Sequence, residues 1–306
     1  MVRYKGKDSI LVRYFGFAEA AYGGTPSGVN STLYLGLVTE FVPLFDPEIK
    51  PIYALRSGVD AGLPFALKSR LKNVGCRMTW IQQSTPSADV QNPYWQHNFL
   101  KDPTSGLLHS NFFVETQIKR DDTDQFWIRL TGLKPNIITI RGSIGEPQLW
   151  TAECIGKGMT TATVEACNEQ EAEDTDPLWA WEDTYIHYDV GAGYNLFPDL
   201  TDYEIRIEKH LKANFCYNSS GDLTLTSLEP MEYLATARLT ANMVSKAFID
   251  NLLTPTSVNK LKLMMPDSKY IEMTGGKFRT VEPVLKPEDL IAQRIDYIAK
   301  DFTHNF

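Results

Sequence analysis

The chain has 306 residues, 43% hydrophobic and 22% charged, with a net charge of −8 at pH 7. That length allows two ordinary domains or one large β domain, and the composition is that of a globular protein, neither disordered nor fibrous. The acidity argues against a protein that grips nucleic acid tightly, because such proteins neutralise phosphates with an excess of Lys and Arg; it leaves room for one that DNA must pass without sticking.

The chain opens with "MVRYKGKDSILVRYFGF", which has basic residues but no continuous apolar core of signal-peptide length. No run anywhere approaches the ~20 apolar residues of a membrane span. Synthesis in a cytoplasm without export is the expectation, with no membrane partner. Strand patterns then dominate. "LYLGLVTEFV" (33–42) is followed by "VGCRMTWIQQ" (74–83), where Val74, Cys76, Met78 and Trp80 alternate with Gly75, Arg77, Thr79 and Ile81. "FFVETQIKR" (112–120), "QFWIRLTGL" (125–133), "NIITIRGSI" (136–144), "YEIRIEKH" (203–210), "DLTLTSLE" (222–229), "YLATARLTA" (233–241) and "NKLKLMM" (259–265) read the same way. They are rich in β-branched and aromatic residues and bounded by Gly, Pro, Asn and Asp.

Between the first two strands, residues 45–70 contain three prolines and hold no stable period. A loop of that length in a compact domain is expected to serve a function or an interface. Near the midpoint, "CNEQEAEDTDP" (167–177) reads as a solvated acidic linker. One helix is expected over 241–254, where Met243, Ala247, Phe248, Asn251 and Leu252 share a face. The last segment, "KPEDLIAQRIDYIAKDF" (286–302), carries helix-start signals and also a strand alternation.

An internal repeat arbitrates. "WIRLTGLK" (127–134) matches "YIEMTGGK" (270–277), and at the same 143-residue offset "TAECIGK" (151–157) falls on "RIDYIAK" (294–300). Ile128, Thr131, Gly132, Lys134, Ile155 and Lys157 equal Ile271, Thr274, Gly275, Lys277, Ile298 and Lys300. The earlier copy has no helix signal and alternates with period two, so the final segment is expected to be a strand despite its local propensity.

No catalytic constellation emerges, and no catalytic, cofactor-binding or metal residue is assigned. "ECIGKGMTT" (153–161) places Gly158 where a phosphate-binding loop needs Ser or Thr. Gly191 and Gly193 lack the third glycine of a dinucleotide site and read as a turn. His97, His109, His187, His210 and His304 hold no metal-ligand spacing, and His187 and His210 are expected on solvent faces. Among Cys76, Cys154, Cys167 and Cys216 there is no C-x-x-C pair; Cys76 and Cys154 read as small core residues. Asn30 and Asn218 match a glycosylation pattern that means little without a signal peptide. Glu169, Glu171, Glu173, Asp174 and Asp176 read as a solvated run, not a calcium loop. Trp179 and Trp181 could form a sugar platform, although alternate tryptophans on a strand face are more often core or interface residues.

The succession of motifs resembles the tail tube proteins (major tail proteins) of tailed viruses infecting bacteria and archaea. Residues 13–49 hold that family's "E-x-x-Y-G-T-x-P" arm as Glu19, Tyr22, Gly23, Thr25 and Pro26, with Gly24 inserted. Residues 130–158 are similar to its "G-x-K-x-N-x-I-x-I … G-E-P" strand pair through Gly132, Lys134, Asn136, Ile138, Ile140 and Gly145-Glu146-Pro147. Residues 203–213 and 270–302 are similar to its later and closing strands.

The resemblance implies a mainly β fold: an antiparallel β-sandwich or barrel of the tail-tube type, duplicated according to the repeat, with a flanking α-helix. The expected division is an N-terminal arm (1–30), a first tube-like domain (31–166), the acidic linker (167–177) and a second tube-like domain (178–306). Copies would close a ring, a trimeric pseudo-hexamer or a hexamer, through interfaces of roughly 2,000 Å² or more. Rings would stack into a virion tube that viral DNA traverses without sticking. Tape-measure, terminator and baseplate proteins would be partners; no cofactor and no enzyme activity are implied. The competing readings are a baseplate hub or tube-terminal ring, a carbohydrate-binding β-sandwich using Trp179 and Trp181, and a hydrolase with a dispersed acidic site.

Overall fold

A computed structural model describes residues 12–16, 37–52, 66–83, 100, 111–119, 125–164, 166, 177–189, 191, 193–217, 223–242, 249–250, 259–284 and 291–306. They form a mainly β protein. The strands in chain order are β1 (Val12–Gly16), β2 (Leu37–Ile52), β3 (Ala66–Ile81), β4 (Phe112–Lys119), β5 (Gln125–Ser143), β6 (Leu149–Gly156) and β7 (Gly158–Ala162). The second half supplies β8 (Tyr185–Asp189), β9 (Asn195–Leu196), β10 (Leu200–Glu208), β11 (Leu211–Tyr217), β12 (Leu223–Pro230), β13 (Leu234–Asn242), β14 (Asn259–Met264), β15 (Tyr270–Val284), β16 (Ala292–Ala299) and β17 (Asp301–His304). Every pairing between them is antiparallel. The main sheet runs β2-β3-β6-β5-β10-β13-β16-β15-β14-β8-β9.

β5 and β15 each belong to two sets of partners. The first part of β5 pairs β4 and β7, and its second part pairs β6 and β10. β15 likewise pairs β14 and β17 before β16. The change of partner comes at Gly132 (φ 63°) and Gly275 (φ 64°), a left-handed conformation that glycine adopts without a side-chain penalty. One contiguous core collects residues from both sets, among them Met78, Trp80, Val114, Leu130, Ile138, Trp150, Leu239, Leu261, Met273, Ile295 and Phe302.

Pairing registers recur along the chain. All seven β5–β6 partner pairs, from Lys134↔Ile155 to Arg141↔Leu149, reappear 143 residues later between β15 and β16, from Lys277↔Ile298 to Val284↔Ala292. The irregularity between Pro135 and Ile137 returns between Phe278 and Thr280. β2–β3 and β10–β13 also match, at a different offset, with Phe41↔Met78 answered by Tyr203↔Leu239. So do β1–β4 and β8–β14, with Tyr14↔Val114 answered by Tyr188↔Leu261.

The alternating segments fold as strands for the expected reason: one face is apolar. Val74, Cys76, Met78 and Trp80 are buried while Arg77 is exposed. The final segment is strand β16 with Ile295 and Tyr297 buried, because its other pattern, period two, meets a sheet face. Residues 286–290 lie outside the described residues.

Several expectations are corrected. Residues 45–70 are not irregular throughout: β2 and β3 extend to Ile52 and from Ala66 as a paired arm, and 53–65 lie outside the described residues. Proline is tolerated there because β2 pairs on one side only among the described residues. The runs 125–133 and 136–144 are one strand, β5, since Pro135 sits at its bulge, where a ladder bond is already missing. Within the N-terminal arm, Val12–Gly16 pairs with β4 of the same chain; the remainder of 1–30 lies outside the described residues. The expected helix over 241–254 begins too early, because Ala241 and Asn242 complete β13. Ile249 and Asp250 are helical, and 243–248 and 251–258 lie outside the described residues. The linker residues 167–176 also lie outside.

Ile295 and Ile298 lie on opposite faces of β16, the first 0% and the second 36% exposed. Ile295→Asp should cost about 4 kcal/mol or more through a buried unpaired charge, whereas Ile298→Asp should cost the monomer under about 1 kcal/mol. Urea unfolding of the two variants measures the difference.

Lys209 is fully buried and donates to the Leu100 carbonyl at 2.7 Å. Burial holds its ammonium well below the ordinary lysine range; the nearby Cys154 opposes this and Lys134 adds to it. Between that lowered value and about 10.4, the unfolded chain binds the proton and the folded chain does not, so stability rises with pH. Lys209→Met should flatten this slope relative to the wild type in urea titrations between about pH 7 and about pH 9; equal slopes contradict the assignment.

Candidate functional site

The two halves of the main sheet meet at one seam. β5 and β10 pair from Glu208↔Ile137 to Asp202↔Ser143. The ladder continues at both ends, where Lys209 N donates to Asn136 O at 2.8 Å and Ile144 N donates to Thr201 O at 3.2 Å. Bonded and non-bonded pairs alternate in an antiparallel ladder, so Tyr203–Gly142, Ile205–Ile140 and Ile207–Ile138 are the pairs that exchange hydrogen bonds. The four isoleucines are fully buried. On the opposite face Arg141 Nε meets Glu204 Oε2 at 2.7 Å.

Side chains tie the halves together beneath the seam. Gln148 Nε2 donates to the Tyr203 hydroxyl at 2.8 Å, and Trp150 Nε1 donates to Gln148 Oε1 at 2.8 Å. Burial raises the Tyr203 phenol above its ordinary value. Beyond β10, strands β11 and β12 form a two-stranded arm that bonds back to the first half. Leu211 N donates to Asn136 Oδ1 at 2.9 Å, and the buried Lys134 Nζ donates to the Leu228 carbonyl at 3.1 Å.

The ends of the main sheet are different. Among the described residues β2 pairs β3 alone, and residues 277–284 of β15 pair β16 alone. By the recurring register, Pro43 stands where β10 has Ile205, and Pro283 stands where β5 has Ile140. Both prolines therefore turn their missing donor toward the bare side, and no ladder within the chain is interrupted. Phe45 is 41% exposed, whereas Ile207, its counterpart at the seam, is 0% exposed.

One face of the main sheet carries paired charges. Arg77 meets Glu40 at 2.9 Å, Arg206 meets Glu208 at 2.6 Å and Arg238 meets Asp296 at 3.3 Å, in addition to the seam pair. Thr79 and Thr151 hydroxyls lie 3.2 Å apart between them. Exposed pairs of this kind add little stability; their effect is to neutralise the face locally.

The residues singled out by sequence disperse. Trp179 is buried, held by its backbone to Gln82 O and Gln148 N at 2.9 and 2.8 Å. Trp181 lies in a 3-10 turn and stacks on Tyr203 at 5.6 Å. The two tryptophans thus do not share a strand face, and the buried one offers no ring to a sugar. Cys76 and Cys154 are buried Cα partners across β3 and β6, and burial raises the Cys154 thiol. Cys216 is exposed, and Cys167 lies outside the described residues. Gly191 and Gly193 form the expected turn, their N–H groups donating to Asp189 Oδ1 at 2.7 and 3.0 Å. His187 is half-buried on β8, His210 is exposed 3.7 Å from Glu208, and His304 is buried. His97, His109 and the acidic run lie outside the described residues. Among the described residues no three His, Cys, Asp or Glu side chains are grouped to hold a metal ion, and no helix is long and apolar enough to cross a membrane. Sequence reading missed Pro43, Pro283 and the Lys134–Leu228 bond; the repeat offset was the signal that could have located Pro283, in the place of Ile140, but it does not relate Pro43 to Ile205.

No family model matches the chain, and no curated protein matches it. Solved structures similar to it include a chain of the virion of the native gene transfer agent particle, at 8% identity and TM-score 0.33, covering 41% of this chain and 98% of that one. The SPP1 tail tube is similar at 12% identity and TM-score 0.31, over 41% of this chain and 77% of its own. The anti-feeding prophage cap, a tube-terminating cap, is similar at 8% identity and TM-score 0.32, over 45% of this chain and 95% of its own.

Proposed function

We propose that this chain is a structural, non-catalytic subunit of a viral tail tube, built from two equivalent β units (31–166 and 178–306) joined by the acidic linker. The observation that carries the reading is the β5·β10 seam. It joins strands that hold equivalent places in the recurring registers to the two bare edges: β10 corresponds to β2, and β5 to β15. A second copy of the chain can therefore set its β2 beside β15 of the first in the manner of the seam. Covering bare edges removes an aggregation hazard, and a head-to-tail contact closes by rotation into a ring. Three chains give six units, the trimeric pseudo-hexamer; stacking along the axis then extends the ring into a tube.

In such a ring the salt-bridged face of the main sheet lines the channel. Arginines at 77, 141, 206 and 238 each face a carboxylate. These four arginines are each compensated, which weakens the face's attraction for a phosphate backbone and suits passage of DNA without adhesion. Tape-measure, terminator and baseplate proteins would meet the tube at its bore and ends.

Electron microscopy and mass photometry of purified protein test the reading. Rings of three copies with six-fold appearance, stacking into tubes, are expected; a monomer at every concentration overturns it. Single rings that never stack favour the tube-terminal reading instead. The channel assignment predicts further that Glu40→Gln, Glu204→Gln, Glu208→Gln and Asp296→Asn together create salt-sensitive binding of duplex DNA. Fluorescence anisotropy should show that binding in the quadruple variant and none in the parent.

A further inference from the structure

The second half contains a cavity of about 530 Å³ walled by Met231, Tyr233, Gly275, Lys277, Ile298 and Lys300. Its counterpart in the first half is filled. Lys277 and Ile298 occupy the register positions of Lys134 and Ile155, and Gly275 that of Gly132. Burial, however, does not recur. Gly132 and Lys134 are buried and Ile155 is half-buried, whereas Gly275, Lys277 and Ile298 are exposed. The element lying over the first set is the β11–β12 arm, with Leu228 buried and its carbonyl bonded to Lys134 Nζ at 3.1 Å.

The first half has an arm of the same construction. β11–β12 interrupts the chain between β10 and β13, and the outer parts of β2 and β3 stand at the equivalent point. Their partners match residue for residue. Leu211↔Pro230, Lys212↔Glu229, Ala213↔Leu228 and Asn214↔Ser227 correspond to Ile49↔Ser69, Lys50↔Lys68, Pro51↔Leu67 and Ile52↔Ala66. Leu67 thus holds the position of Leu228. The β11–β12 arm covers the unit that its own β10 pairs with, across the seam. The unit that β2 would pair with belongs to another chain.

We infer that the arm of residues 46–52 and 66–73 of one copy seats in this cavity of the next, the Leu67 carbonyl accepting a hydrogen bond from Lys277 Nζ. The inference rests on the ring reading and names the surface through which neighbours lock. A lysine that is exposed in the isolated chain becomes a buried donor on assembly, as Lys134 is within the chain. The cavity is the space that an arm occupies in the equivalent place.

A photocrosslinking benzoylphenylalanine at position 277, in rings assembled from mixed isotope-labelled and unlabelled chains, tests the contact. The expected crosslink joins 277 of one copy to the peptide spanning 66–73 of another. Separately, Lys277→Ala should raise the concentration needed for ring assembly roughly tenfold, the scale of one lost charged hydrogen bond, and leave the monomer's melting temperature unchanged. Lys134→Ala should instead lower the melting temperature, because that contact lies inside the chain. Rings that form normally with Lys277→Ala, and crosslinks from 277 to other segments, overturn the arm contact while the ring reading stands. Failure of the parent protein to assemble at any concentration overturns both.

Discussion

A β-strand aims its backbone donors and acceptors sideways, so a sheet is complete only when something ends it. Here the ladder between β5 and β10 is the constraint on which the rest depends. It satisfies one border of each half with the other and buries Ile138, Ile140, Ile205 and Ile207 around it; among the described residues, one border of each half has no strand partner. The same chain therefore holds one completed junction and two strands that occupy the equivalent places without such a partner among the described residues.

The packing beneath the main sheet differs between the halves although their pairing registers recur. Trp80 and Trp150 face each other with centroids 6.2 Å apart; the corresponding positions in the second half are Ala241 and Gln293. The charge pattern on the opposite face is better kept. Arg77 opposite Glu153 is answered by Arg238 opposite Asp296. Core volume can be redistributed among neighbours as long as it is filled.

Much of this order was legible in the residues. Period-two alternation located β3, β4, β10, β13 and β14, and the Thr-Gly match of 131–132 with 274–275 fixed an offset that the β5–β6 and β15–β16 registers share. The offset also decided for strand in β16, where local propensity pointed to helix. What escaped had physical reasons. Pro135 looks like a terminator, yet it occupies a bulge, so one long strand read as two. The prolines of 45–70 signalled irregularity because sequence does not reveal that β2 lies at an edge. Trp179 and Trp181 suggested a shared face, but Trp179 is buried in the core and Trp181, in the 3-10 turn that follows, stacks on Tyr203. The bond from Lys134 to Leu228 joins residues 94 apart in the chain, beyond any local pattern.

Pro43 and Pro283 give the bare edges a property that the inner seam lacks. Where Ile205 and Ile140 exchange two hydrogen bonds, the outer pair has no donor to offer from either side. A closed ring of such chains would alternate continuous joints with notched ones. Strain along the wall would concentrate at the notches, so a tube under load would part between polypeptides and leave each polypeptide whole.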